Sequence, residues 1–178
     1  MAYYKDLREY LKMLENKGKL LRIEGEVIRE TEVTPLYWLQ LRGISEENLR
    51  CFLFEKVRDV KGNKCYRISL GHYDASREIA SLGLMCSPQD INEKWCQACL
   101  KPIPPVIVSE GVVQEVVMTG EELERVGLGM LPAPVENPGW SGDTRTTNQF
   151  ITKDPETGKR NVGTYSAHIS GPKSMRWG

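Results

Sequence analysis

The spacing of apolar and polar positions changes character twice along the chain. From Tyr4 to Lys17, the residues Leu7, Tyr10, Leu11 and Leu14 recur at i, i+3, i+4 and i+7, which is one face of a helix, and Gly18 stops it. "LLRIEGEVI" (20–28) has the pattern of a strand. "TEVTPLYWLQLRG" (31–43) predicts a second helix, with Thr31 or Thr34 as its cap, Pro35 near the first turn and Gly43 as its stop. "CFLFEKV" (51–57), the turn "RDVKGNK" and "CYRISLGHY" (65–73) predict a β-hairpin. "DASREIASLGL" and "SPQDINEKWCQACL" supply two more helices, each opening at a Ser or Asp cap. This is an α/β or α+β unit of residues 1–104.

"KPIPPVIV" (101–108) is the boundary, because its prolines force an extended path and the pattern changes beyond it. Residues 105–178 are expected to be a second, mostly β domain. "QEVVMTG" reads as a strand and "EELERVGLGM" as a short helical stretch. The long loop "LPAPVENPGWSGD", with Trp140 and Asp143, is of the kind that carries function. A hairpin follows, whose turn "KDPETGKR" is built by Asp-Pro and by the positive φ that Gly158 supplies.

Composition narrows the partners. Apolar residues make up 40% and charged residues 27%, and Lys+Arg and Asp+Glu both total 24. A balanced chain has no general electrostatic pull towards nucleic acid or anionic lipid. The N-terminus is charged throughout, without an apolar signal region, and no window approaches a membrane span. A cytoplasmic protein is therefore expected. The five cysteines fit reduced thiols. Cys96 and Cys99 have C-x-x-C spacing, but neither a second pair nor a histidine at ligand spacing accompanies them, so they are read as packing thiols rather than a metal or redox site.

The second strand of the last hairpin is unusually polar. Asn161 is either a turn residue or a neutral oxygen ligand for a hard divalent cation. Thr164, Ser166, His168 and Ser170 share one strand face, with Tyr165, Ala167 and Ile169 on the other. That polar face either meets water or lines a polar cavity. Arg176 and Trp177 could place a phosphate donor beside an aromatic wall.

Taken in order, "DLREYLKMLENKGKLLRIEGEV", "TGEELERVGLGMLPAPVENPG" and "ITKDPETGKRNVGTYSAHI…MRW" resemble the UbiD-type family of reversible decarboxylases. The resemblance implies an N-terminal α/β domain followed by the first part of a split β-barrel that binds prenylated FMN. It implies a divalent metal, manganese, held by Asn161 and bridged to the flavin phosphate, with potassium as a further candidate cation. It places Thr164, Tyr165 and Ser166, and also Arg176, Trp177 and Gly178, against the cofactor. The implied substrates are an aromatic carboxylic acid, phenolic acids included, and CO2, with a flavin prenyltransferase supplying the cofactor.

Two departures qualify the resemblance. The family's motif ends in Tyr-Arg, whereas here Tyr165 is followed by Ser166, which lacks the guanidinium's permanent charge and paired donors. His168, on the same strand face, is either the substitute proton donor or a polar residue on a half-exposed strand. The family's other metal ligands and its catalytic glutamates lie beyond the segment matched by this chain. A homo- or hetero-oligomer supplying that segment is therefore expected, and the isolated chain should be inactive. The rival readings are a non-catalytic assembly subunit and an ordinary FMN-binding barrel.

Overall fold

The computed structural model describes residues 3–136 and 145–177, with only the backbone for residues 145–148 and Trp177. It is an α+β chain with two separate three-stranded sheets. Two compact units are present: the first is Met1–Glu26, Leu36–Lys56 and Arg67–Val116, and the second is Val27–Pro35, Val57–Tyr66 and Val117–Gly178.

In the first unit, helix α1 (Leu7–Asn16) starts where the Asp6 carboxylate accepts a hydrogen bond from the Glu9 amide at 2.9 Å. It ends in a Schellman motif: Gly18, at φ 69°, donates to the Glu15 carbonyl, and Lys19 donates to that of Leu14. Only glycine adopts that φ without strain. The apolar stripe is narrower than its sequence suggests. Tyr10 and Leu14 are buried and Leu11 is partly buried, but Leu7, at the first helical position, is 46% exposed. Tyr10 and Leu14 pack with Leu20, Cys51, Leu53, Ala75 and Ile79. The Tyr10 hydroxyl donates to the Ile79 carbonyl at 2.9 Å, so its polar end is satisfied inside the core.

Strands β1 (Leu20–Ile28), β2 (Cys51–Arg58) and β3 (Ile68–Leu70) form one sheet in that order. The Cys51 amide bonds the Lys19 carbonyl and the Arg29 amide bonds the Arg58 carbonyl, so β1 and β2 run the same way. Helix α2 (Val33–Gln40) is their crossover, and the Gln40 amide at its end brackets the Arg50 backbone with bonds of 2.8 and 2.9 Å. Strand β3 is antiparallel to β2, pairing Phe52 with Leu70 and Phe54 with Ile68. The expected hairpin is therefore present with a shorter second strand. Its turn is tied by the Asp59 carboxylate, which accepts from the Lys61 and Asn63 amides.

Helix α3 (Arg77–Leu84) begins at Ser76, whose hydroxyl accepts from the Ile79 amide. Helix α4 (Ile91–Leu100) begins at Asp90 without a side-chain capping bond, and none of its side chains is buried. The strand expected over "QEVVMTG" does not form. Val112–Gln114 is a short 3-10 turn, and Val112, Val113, Val116 and Val117 are all exposed. β-branched residues favour a strand only when a neighbouring strand supplies the ladder and the packing surface, and no described strand pairs with these residues.

In the second unit, α5 (Gly120–Arg125) leads into a 3-10 turn, Gly127–Met130. Gly127 has φ 43°, and a Cβ there would overlap the Pro172 carbonyl oxygen, which accepts from the Leu128 amide at 2.8 Å. The sheet is β4 (Arg145–Lys153), β5 (Arg160–Gly171) and β6 (Ser174–Trp177), antiparallel throughout and with β5 central. Strand β6 is an addition to the expected hairpin. No helix among the described residues is long and apolar enough to cross a membrane. Trp140 and Asp143 of the long loop lie outside the described residues.

Candidate functional site

The turn before β5 has the geometry its residues imply. The Asp154 carboxylate accepts from the Glu156 amide at 2.9 Å and the Thr157 amide at 2.7 Å, and Gly158 sits at φ 70°. These backbone donors hold the Asp154 carboxyl below its ordinary value. The turn delivers β5 in a fixed register against β4: Arg160 faces Lys153, Asn161 faces Thr152, Ser166 faces Thr147 and His168 faces Arg145. On the other side, His168 faces Arg176 of β6 and Ala167 faces Trp177.

Strand parity divides the candidate residues into two sets. Thr164, Ser166 and His168 lie on one face of β5, level with Arg176, which occupies the same cross-strand row as His168. Asn161 and Tyr165 lie on the opposite face, with the Trp177 position in the Ala167 row there. Asn161 and Ser166 are an odd number of residues apart, so a regular strand cannot bring them together on one surface. Gly178 lies outside the described residues.

On the Asn161 face, the glycine of Asn161-x-Gly163-x-Tyr165 has a packing reason. A Cβ at Gly163 would stand 2.5 Å from Cε2 of Tyr165. Without one, the tyrosine ring lies across the Gly163 backbone and meets Phe150 edge-on, with ring centroids 5.7 Å apart. The ring still exposes 47% of its residue surface, leaving an aromatic wall available to a ligand. Asn161 itself is exposed. It borders an open depression with Thr152, Lys153, Asp154, Lys159 and Arg160, in which three cations outnumber one carboxylate.

On the other face, Ser166 and His168 are half-buried and Thr164 is exposed. The Nδ1 atom of His168 is enclosed and has no hydrogen-bond partner among the described residues. A buried ring nitrogen without a partner is costly, and such groups are commonly completed by a ligand, an ion or another chain. The sequence singled out His168 as a donor, and this orphan atom adds a feature that only the fold reveals.

The donor set does not make a metal site by itself. Among the described residues, no group of three or more His, Cys, Asp and Glu side chains converges. Asn161 contributes one neutral oxygen, and the cations around it repel a bare divalent ion but suit a phosphate.

Residues 106–177 match the family model described as "UbiD: 3-octaprenyl-4-hydroxybenzoate carboxy-lyase Rift-related domain". An uncharacterised protein of Synechocystis sp. is 29% identical, the match covering 96% of this chain and 36% of that protein. Among solved structures, an evolved dimeric form of the UbiD-class enzyme HmfF from Pelotomaculum thermopropionicum, in complex with prenylated FMN, superposes with a TM-score of 0.77 at 27% identity, over 98% of this chain and 38% of that one. The vanillic acid decarboxylase of Sedimentibacter hydroxybenzoicus in its open form gives a TM-score of 0.79 at 26% identity, over 99% of this chain and 38% of that one. The chain thus spans little more than a third of the length of the relatives it matches. Residues 106–177 thus match a UbiD-related domain, and the described fold is similar to the corresponding third of UbiD-class enzymes.

Proposed function

We propose that the chain is the cofactor-facing part of a UbiD-class carboxy-lyase that interconverts an aromatic carboxylic acid and its decarboxylated product with CO2. Residues 1–104 form its α/β domain and residues 105–178 begin its flavin-binding split barrel. Strand β5 carries this reading. It displays Asn161, Gly163 and Tyr165 on one face and Thr164, Ser166 and His168 on the other, the His168 Nδ1 having no partner among the described residues, inside a domain matched to the family.

Prenylated FMN, when bound, supplies the electron sink for the pair left as CO2 departs. This chain's residues do the positioning. The Lys153, Lys159 and Arg160 charges beside Asn161 suit the cofactor's phosphate, and the half-exposed Tyr165 ring suits its planar part. Thr164, Arg176, Trp177 and Gly178 are assigned to the cofactor surround. Ser166 stands where the family has a guanidinium, and His168, two residues along the same face, is assigned the role of holding or moving the proton. Manganese, with potassium as companion, needs donors beyond Asn161, so no step is derived through a metal.

Candidate residues leave β5 in opposite directions, and the reading assigns closure of the pocket to further polypeptide. The Sedimentibacter decarboxylase carries a second component in its structure, and the HmfF form is dimeric, which supports an oligomeric or two-chain assembly here. A non-catalytic assembly subunit is the second reading, favoured by Ser166 standing in the arginine's place. Calorimetry of manganese against the isolated chain tests the donor count: binding should be weak or absent. Tight, stoichiometric binding would mean that local groups complete the site after all.

A further inference from the structure

The carboxy-lyase reading leaves the C-x-x-C pair of α4 unused, and the structure removes the packing role expected for it. Cys96 and Cys99 are free and exposed, as is every residue from Trp95 to Leu100. The other thiols behave differently. Cys51 is fully buried in the core, and Cys65 and Cys86 are half-buried. Burial raises the thiol pKa of Cys51 to about 12 and also raises that of Cys65, so both disfavour thiolate chemistry.

Cys96 and Cys99 stand at i and i+3 within Ile91–Leu100, on one side of the helix. Helix geometry sets their Cα atoms about 5 Å apart, inside the window of roughly 4.4–6.8 Å that a disulfide spans. Their Cβ atoms, about 5–6 Å apart in an intact helix, must close to about 4 Å, which requires the last turn to deform. That turn can yield. Cys99 is the penultimate helical residue, and the cap at Lys101 (φ −128°, ψ 65°) leaves the helix with one backbone bond, from its amide to the Gln97 carbonyl. Pro102 follows at once, and no side chain of α4 is buried to resist the movement.

We propose that Cys96 and Cys99 form a reversible dithiol–disulfide modification site that exchanges with low-molecular-weight disulfides. One thiolate attacks a sulfur of the small disulfide RSSR, forming a mixed disulfide and expelling RS−, which takes up the released proton. The second thiolate attacks the protein-side sulfur of that mixed disulfide and displaces the other RS−. The protein dithiol loses two electrons and two protons, and RSSR becomes two RSH. Because closure deforms the helix end, the bond is readily reduced again, as strained and exposed disulfides are.

The test uses the full 178-residue chain, fully reduced and then incubated with excess oxidised glutathione. Intact mass and peptide mapping should show the loss of two hydrogens, a bridge between Cys96 and Cys99, and no retained glutathione at either position. Dithiothreitol should restore the original mass. In Cys99→Ser, and equally in Cys96→Ser, the intramolecular step is gone, so one glutathione should accumulate on the remaining cysteine. Separate glutathiones retained on both cysteines of the unmutated chain would overturn the proposal, as would a bridge to Cys51, Cys65 or Cys86. No reaction at the pair would overturn it equally.

Discussion

Leu14→Ala is the sharpest test of the first unit, because the helix face can be checked against its own exposed end. Leu14 is 0% exposed and packs with Tyr10, Leu20, Cys51, Leu53, Ala75 and Ile79. Truncation removes three buried carbons, worth about 2.4 kcal/mol at ~0.8 kcal/mol each. The cavity left among residues held on α1, β1, β2 and α3 adds to this, giving a total of about 3–4 kcal/mol. Leu7, on the same helix but 46% exposed, should lose no more than about 1 kcal/mol when truncated. Urea unfolding followed by far-ultraviolet circular dichroism measures both. With a slope of roughly 1.5 kcal/mol per molar urea, Leu14→Ala should lower the midpoint by about 2 M or leave the chain unfolded. Leu7→Ala should lower it by well under 1 M at an unchanged slope. Equal losses at the two positions would refute the packing of α1.

Alkali should destabilise the protein through Cys51. Its pKa is raised from the ordinary 9.0 to about 12, so the unfolded chain releases this proton first. Stability from this group is whole below pH 9, then falls by up to about 1.4 kcal/mol per pH unit until pH 12. Cys51→Ala should flatten that slope in urea titrations at pH 8 and pH 10, and an unchanged slope would count against the buried thiol. Gly127→Ala should abolish hydrogen-exchange protection of the Leu128 amide, since the new Cβ displaces Pro172, and retained protection would contradict the close approach. In the complete assembly, Ser166→Arg should lower turnover, because burying an unpaired charge costs on the order of several kcal/mol. Ser166→Ala should stay within about tenfold of the parent, roughly 1.4 kcal/mol of barrier, while His168→Ala should cost more. A gain of activity with arginine would mark the chain as a decayed catalyst.

Legibility followed locality. The Gly18 stop, the Ser76 cap and the Asp154–Gly158 turn are all written in neighbouring residues, and each appears with the expected hydrogen bonds. The segment "QEVVMTG" (114–120) misled because β-branched composition says nothing about whether a partner strand is present. Strand β6 escaped notice because it holds four residues, and only the Gly171–Pro172–Lys173 turn before it signals a return. At the site, the candidate residues could be named from the motif. Their division between two faces follows from counting once β5 is known to be regular from Arg160 to Ile169, and the bulge recorded against β6 comes only between Ile169 and Gly171. The orphan Nδ1 of His168 depends on what surrounds it, which a linear motif does not contain.

The central claim is that β5 serves a prenylated-flavin carboxy-lyase assembled with further polypeptide. The most direct measurement is exchange of labelled CO2 into aromatic carboxylic acids, using assemblies captured on this chain from cells that also express a flavin prenyltransferase. The account predicts a flavin-containing assembly that catalyses exchange, loses it with Asn161→Ala, and is inactive when only residues 1–178 are supplied. A captured assembly that holds prenylated FMN yet exchanges no CO2 with any aromatic acid would contradict the catalytic reading, and exchange indifferent to Asn161→Ala would contradict the site.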